Sequence, residues 1–440
     1  MMSDEINKQT MSIQSMPIHS TQRPPWTRSP NRVRRTINVI GMLLLLTSPL
    51  SNATEFFYSG YLKSYALWQD EIEIENNPEN ISSQFQSQNS MRLMGSGYTE
   101  SSGNVEAHYE IQPVYYSESI RENSGGIGST LSLGSNRYRY KDLDVVLKEE
   151  GDHLVIWQNL DRLNYQYGNE YGDLTIGRQV ISFGSARFIN PTDIFIPFTI
   201  STLNQEYRVG IDALRYQAEL GDFATLDTGL IIGEDAKKEN SAIFLRGKNS
   251  IEGNDIEAMF IKLDDAWLLG GGIERALGDF GFWFETAYVH LDESTSDSYW
   301  RSSIGSDYAI SDNIIMMLEY HHNGAGSSNP NNYIKLLSEE PYQKAGIFLL
   351  GQHYLIPGLT WTATPLISVS GSGFLNMGDQ SVFFNLSSEV NWSDNLYSDF
   401  GAYLSYGDTL EYDISTQNVS FGSEFGAYPL SIYASLRYYF

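Results

Sequence analysis

The chain contains no cysteine, so a disulfide framework and a thiolate metal site are both excluded. Long apolar runs are almost as scarce. Mean hydropathy is −0.31, and the one apolar run, Ile37 to Leu46, falls short of the roughly 20 residues a membrane-spanning helix needs. Positive charge is also thin. Against 54 acidic residues stand 28 Lys and Arg, a net charge of −26 over 440 residues, which argues against a nucleic-acid partner. Catalytic signatures are missing as well: no G-x-S-x-G surrounds any serine, no H-E-x-x-H accompanies His321-His322, and no loop spaces its oxygens like an EF-hand. What the chain has in quantity is tyrosine (29) and glycine (38), which suits many strands joined by tight turns.

The N-terminal region reads as a targeting segment. Arg32, Arg34 and Arg35 precede the apolar run, and Ser51-Asn52-Ala53 follows it. A basic stretch, a short apolar core and small residues at −3 and −1 predict a secretory signal cut after Ala53. No cysteine follows, so it is not a lipoprotein signal. Residues 1–31 are polar and Pro-rich and carry no motif. Residues 1–53 are thus an extension plus signal peptide, and 54–440 the mature protein. Removing six basic and two acidic residues leaves the mature chain at −30.

Alternation at period two runs through segment after segment of 54–440. Val105, Ala107, Tyr109 and Ile111 oppose Glu106, His108, Glu110 and Gln112; Ile314, Met316, Leu318 and Tyr320 oppose Glu319 and His321. A face of Glu, His, Gln and Asn is a hydrated lumen, not a soluble core. The pattern predicts eighteen strands, with sixteen as the alternative. Strand five is placed at 172–183, strand eight at 241–247 followed by a long turn at 248–254, and strands fourteen and fifteen at 345–355 and 359–370 around Ile356-Pro357-Gly358. Connections after odd strands tend to be long (69–83, 117–153, 184–210, 323–344, 407–429). Those after even strands are mostly short, such as Gly221-Asp222 and Ser393-Asp394-Asn395.

The last strand, 430–440 (LSIYASLRYYF), sorts Ile432, Ala434, Leu436, Tyr438 and Phe440 to one face and Ser431, Tyr433, Ser435, Arg437 and Tyr439 to the other. A soluble strand rarely ends on an exposed aromatic, whereas lipid can cover one. With Leu436, Tyr438 and Phe440 on its outer face, this strand resembles the C-terminal assembly signal of Gram-negative outer-membrane proteins. The resemblance to porin-like outer-membrane proteins extends over 54–440. It implies an all-β fold: a transmembrane, antiparallel, up-and-down barrel in the bacterial outer membrane with both termini periplasmic.

Residues 184–210 form the third long connection, yet Phe188, Ile189, Ile194, Phe195, Ile196, Phe198 and Ile200 make it too apolar for a solvated tip. It resembles the third loop of bacterial porins, which folds into the lumen and narrows the pore. Around it lie Arg178, Arg187, Arg208 and Arg215 with Asp193, Glu206, Asp212 and Glu219. Opposed charges across a narrow gap sort small solutes; the same charges would also serve as an ion-pair network bracing the loop. Alternation turns Arg215 inward. It puts Arg178 with Ile176 and Val180 on the lipid face, unless a bulge at Gly177 rotates it. Arg178, Arg187, Asp193, Glu206, Arg208, Asp212 and Arg215 are therefore the candidates for the constriction, with Asp193 or Glu206 expected opposite inward arginines such as Arg215.

These readings point to a passive diffusion channel for small hydrophilic or amphipathic solutes, not to an enzyme, with no cofactor and no metal. A structural or adhesion barrel with a plugged lumen is the first alternative. A rim-located enzyme, which would need a Ser–His contact, is the second. The expected partners are outer-membrane lipid and lipopolysaccharide, the barrel-assembly machinery and a small solute; a homo-oligomer is compatible with the sequence.

Overall fold

A computed structural model describes residues 53–440 except 78–80, 100–102, 119–136, 142–144, 152, 198–199, 201–202, 204–205, 293–297, 345 and 416–417. The signal segment and Phe198 lie outside the described residues. Eighteen strands follow one another around a closed ring. The first nine are β1 (Ala53–Gln69), β2 (Gln84–Thr99), β3 (Gly103–Tyr116), β4 (Leu154–Asn169), β5 (Gly172–Gln179), β6 (Ile211–Glu219), β7 (Ala224–Ile231), β8 (Ala242–Ile251) and β9 (Asn254–Lys262). The second nine are β10 (Ala266–Leu277), β11 (Phe280–Leu291), β12 (Tyr299–Ser311), β13 (Ile314–Asn323), β14 (His353–Thr364), β15 (Ile367–Asn376), β16 (Val382–Ser393), β17 (Leu396–Tyr406) and β18 (Ser431–Tyr439). Each pairs antiparallel with its neighbours in sequence, and β18 pairs with β1, Lys63 opposite Arg437, to close the barrel. Closure removes the unpaired edges a membrane could not satisfy.

Two short pieces complete the upper wall and mouth. Val145–Glu150 pairs with β4 above the short β5. Ile74–Glu75, Leu410–Asp413 and Asn418–Phe421 make a small separate ribbon. Short helical turns, Tyr333–Leu337 and Glu340–Lys344, lie in the β13–β14 connection.

Two faces follow from the alternation. Outward rows carry exposed apolar side chains, among them Leu62, Ile243, Leu269, Ile304, Leu318, Leu386 and Leu436. Inward rows of the same strands carry buried Lys63, Gln88, Glu110, Glu257 and Ser435. So much exposed apolar surface, spread around a whole sheet, belongs against lipid. The expected split of the last strand is seen: Leu436, Tyr438 and Phe440 face out, whereas Ser431, Tyr433 and Ser435 are buried inside.

Three boundaries differ from expectation. Strand five ends at Gln179, not 183. The segment after strand eight is not a long turn, since β8 continues to Ile251 and reverses at Glu252-Gly253. Both turn residues have positive φ (51° and 76°), as a two-residue hairpin with the right twist demands. Strands fourteen and fifteen sit at 353–364 and 367–376, reversing at Pro365-Leu366. Pro357-Gly358 resembles a turn in sequence but runs within β14, where Gly358 leaves room for the Phe188 ring. Long connections gather on one rim, and two- to four-residue turns share the other rim with both ends of the barrel chain.

Candidate functional site

The connection between β5 and β6 touches two distant arcs of the wall. On one arc, the Glu285 carboxylate of β11 accepts the amides of Ser185 (2.7 Å), Ala186 (3.0 Å) and Thr192 (2.9 Å) and the Thr192 hydroxyl (2.7 Å). Glu319 of β13 accepts the amides of Arg187 (3.0 Å), Phe188 (3.2 Å) and Ile189 (2.9 Å) and the Trp283 indole N–H (2.9 Å). Ser303 of β12 donates to the Ile189 carbonyl (2.6 Å). An ionised carboxylate only accepts, so a turn that aims successive amides at one point suits it. Burying such a charge costs several kcal/mol, which bonds of about 1.5–3 kcal/mol each offset.

On the other arc, Glu206 accepts from Lys63 Nζ on β1 and from the Tyr439 hydroxyl on β18 (2.7 Å), with Arg437 3.7 Å away. Burial raises the Glu206 carboxyl, but the Lys63 and Tyr439 bonds and the nearby cations outweigh it and hold it below the usual range. Tyr207 packs on Tyr61 (5.4 Å between rings) and takes the Arg92 guanidinium on its face (4.8 Å). The end of the connection is held by Asp161, the extra residue of a bulge on β4. Its carboxylate accepts the Gly210 amide (2.8 Å) and pairs with Arg92, Arg139 and Arg162.

Buried apolar clusters flank the segment between these anchors. Phe183, Ile194, Phe195 and Ile196 pack with Ile211, Ile231, Phe244, Ile261 and Leu268 on one side. Ile189 and Ile200 pack with Tyr354, Ile356, Phe374 and Phe383 on the other.

The seven candidate residues divide into separate pairs. Asp193 pairs with Arg208 inside the loop, and burial pushes its carboxyl up while Arg208 pulls it down. Arg187 binds Glu274 (2.9 Å) and covers the Trp283 ring. Arg178 forms a two-bond pair with Asp212 (2.9 Å each) and donates to the carbonyls of Leu160 and Lys141. Gly177 has a positive φ of 114°. Pairing on both sides of β5 nevertheless runs without a register shift, so no bulge turns Arg178 inward; it braces the wall. Arg215 does lie on an inward row, but its guanidinium is bound to Asp227 on β7 (2.8 and 2.6 Å). Neither acid faces Arg215: Asp193 pairs with Arg208 inside the loop, while Glu206 pairs with Lys63 and lies 3.7 Å from the inward Arg437.

Lys63, Arg92, Asp161 and Arg437 were not singled out from sequence. Lys63 had a usable signal, since it lies on the inward row between Tyr61 and Tyr65. Asp161 had none, because the bulge that exposes it to three arginines breaks the alternation. Glu319, on a polar row by alternation, and Glu285 spend their lone pairs on loop amides.

Two Ser–His contacts occur among the described residues. Ser303 and His321 (2.8 Å) are sealed beneath Ile189. Ser298 touches His290 (2.9 Å), but Asp292 stands 3.7 Å from that ring, too far to orient it by a hydrogen bond.

No family model matches the chain, and no curated protein sequence matches it. Solved structures do resemble it in fold. OccAB2 from Acinetobacter baumannii aligns at a TM-score of 0.54 and 9% identity, covering 87% of this chain and 98% of that one. A BenF-like porin from Pseudomonas fluorescens Pf-5 aligns at 0.53 and 9%, covering 88% and 99%. OpdQ from Pseudomonas aeruginosa aligns at 0.52 and 10%, covering 88% and 99%.

Proposed function

We propose that this barrel is an outer-membrane channel for passive diffusion of small hydrophilic or amphipathic solutes, narrowed by residues 184–210, and not an enzyme. One observation carries the reading: the segment bonds to Glu285 and Glu319 near one end and, through Glu206, to Lys63 and Tyr439 near the other. Counted along the ring, β13 lies six strands and β11 eight strands from β1, in a ring of eighteen. Anchorage to arcs so far apart supports a path for this segment across the bore. Around Glu206 the inward rows supply charges of both signs, Lys63, Arg92, Glu110 and Arg437, the lining a small polar solute needs. Similarity to a BenF-like porin supports the same class, although 9% identity speaks only for the fold.

The membrane assignment follows from the apolar outer face. The orientation, both ends periplasmic, follows from their sharing a rim with the tight turns. Lipid, lipopolysaccharide and the barrel-assembly machinery are then its natural partners.

The competing reading is a barrel with a plugged lumen, favoured by the apolar packing on both flanks of the loop. Single-channel recording of the refolded protein in planar bilayers separates the two. Stepwise conductance that grows on deletion of 188–200 is expected. A silent bilayer at every voltage tried, with the barrel intact by circular dichroism, would favour the plug.

A further inference from the structure

Five arginines are buried among the described residues: Arg92, Arg139, Arg162, Arg178 and Arg301. Four of them pair with carboxylates, Arg92, Arg139 and Arg162 with Asp161 and Arg178 with Asp212. Arg301 pairs with none among the described residues. It lies on the inward row of β12, opposite Ala287 on β11 and Asn323 on β13. Its guanidinium donates from Nη1 to the Pro191 carbonyl (3.3 Å), whereas Nε is buried without a partner. Arginine is seldom buried unpaired, because taking its charge out of water costs several kcal/mol.

The unused edge is the one that grips carboxylates elsewhere in this wall. Arg178 holds the two oxygens of Asp212 with Nε and Nη2 (2.9 Å each), and Arg215 uses the same two nitrogens on Asp227 (2.8 and 2.6 Å). Such a fork is shaped for an anion. The acids facing the Arg301 guanidinium are Glu285 and Asp193, and neither reaches it. Glu285 is held by three loop amides and the Thr192 hydroxyl, and Asp193 by Arg208.

Two neighbours are incomplete as well. Tyr299, two positions along the same row, is buried, and its hydroxyl has no partner. Asn323 Nδ2 donates to the carbonyls of Leu349 (2.8 Å) and Gly351 (3.2 Å), and its Oδ1 has no partner. Tyr299 belongs to the apolar cluster of Leu291 and Ile347, with Tyr342 packed against it.

We propose that Arg301 and Tyr299 hold a resident monovalent anion of chloride size, bound by the Nε/Nη2 edge and the phenol O–H. One negative charge answers the single cation this part of the wall leaves unpaired. A divalent anion would overcompensate it beside Glu285 and Asp193. The ion is small because Tyr299, Arg301 and Asn323 are all buried, and for the same reason it is separate from any solute in transit. The site therefore stands or falls independently of the channel reading. The rival occupant is a water molecule, which would satisfy Tyr299 and Asn323 Oδ1 but leave the charge uncompensated.

The test uses the refolded full barrel and bromide as the probe. Crystals soaked in sodium bromide should show an anomalous peak within hydrogen-bond reach of Arg301 Nε and Nη2. Urea unfolding in detergent micelles, with gluconate exchanged for chloride or bromide at constant ionic strength, reads the same site in solution. A halide at about a hundred times its Kd should raise the folded-to-unfolded ratio about a hundredfold. The rise should vanish in Arg301→Met and shrink in Tyr299→Phe, which keeps the ring. If Arg301→Met does not fold, the bromide peak and the Tyr299→Phe titration decide. Absence of a peak at Arg301 overturns the site in favour of water. A peak without a stability response marks an adventitious ion only and overturns it too, as does an equal halide response in Arg301→Met.

Discussion

Gly60 and Phe440 exchange both backbone hydrogen bonds across the seam (2.8 and 3.0 Å), and the Phe440 ring lies where a Cβ on Gly60 would be, 2.5 Å from its Cζ. The terminal aromatic thus covers a glycine on the first strand and closes the ring in one step. Deleting Phe440, or replacing it with Asp, should lower outer-membrane levels far more than Tyr439→Ser. Gly60→Val should resemble the Phe440 variants, because the Phe440 ring and the Arg92 carbonyl both block a side chain there. Equal levels of all four variants in membrane fractions would refute the covering role.

Glu319→Ala should free the loop. Three amides and an indole lose their acceptor at once, at about 1–3 kcal/mol for each group left unpaired. Single-channel traces should then show larger and more variable steps, and a protease should cut within 184–197 more readily. Glu319→Gln retains one acceptor oxygen and should fall between the two.

Charge substitutions should sort by their partners. Glu206 is half-buried beside Lys63 and Arg437, so Glu206→Gln should shift the reversal potential in a salt gradient toward anions, and Lys63→Gln toward cations. Arg215→Glu should act differently. Its partner Asp227 is nearly buried, and removing one member of such a pair costs about 3–5 kcal/mol. Folding yield should drop while the selectivity of surviving channels barely moves. A selectivity change from Arg215→Glu larger than that from Glu206→Gln would place the narrow point elsewhere.

The mature chain should begin near Thr54, at the start of β1. Intact-mass measurement on outer-membrane material would reject this by finding residues 1–30 attached.

Much of the barrel could be read from the chain because a membrane barrel repeats one local rule. Every strand must alternate, since each second residue meets lipid, and every connection is either a tight turn or a long loop. That rule yielded eighteen strands, the inward Tyr433, and the outward Leu436, Tyr438 and Phe440. It misplaced β14 and β15 because Pro357-Gly358 carries the chemistry of a turn, while its fit within the strand depends on Phe188, a residue remote in sequence.

The charge pairs obey no such local rule. Arg215 was correctly assigned to the inward face, yet its partner was set by β6 lying against β7, whose Asp227 reaches it first. Glu206 found Lys63 and Tyr439 only because the first and last strands meet at the seam. Asp161 gathered three guanidiniums through a bulge that no periodicity announces. Alternation and turn chemistry act over a few residues and are written into the sequence; which carboxylate meets which cation depends on closure of the ring and the path of one loop, and tertiary structure alone decides it.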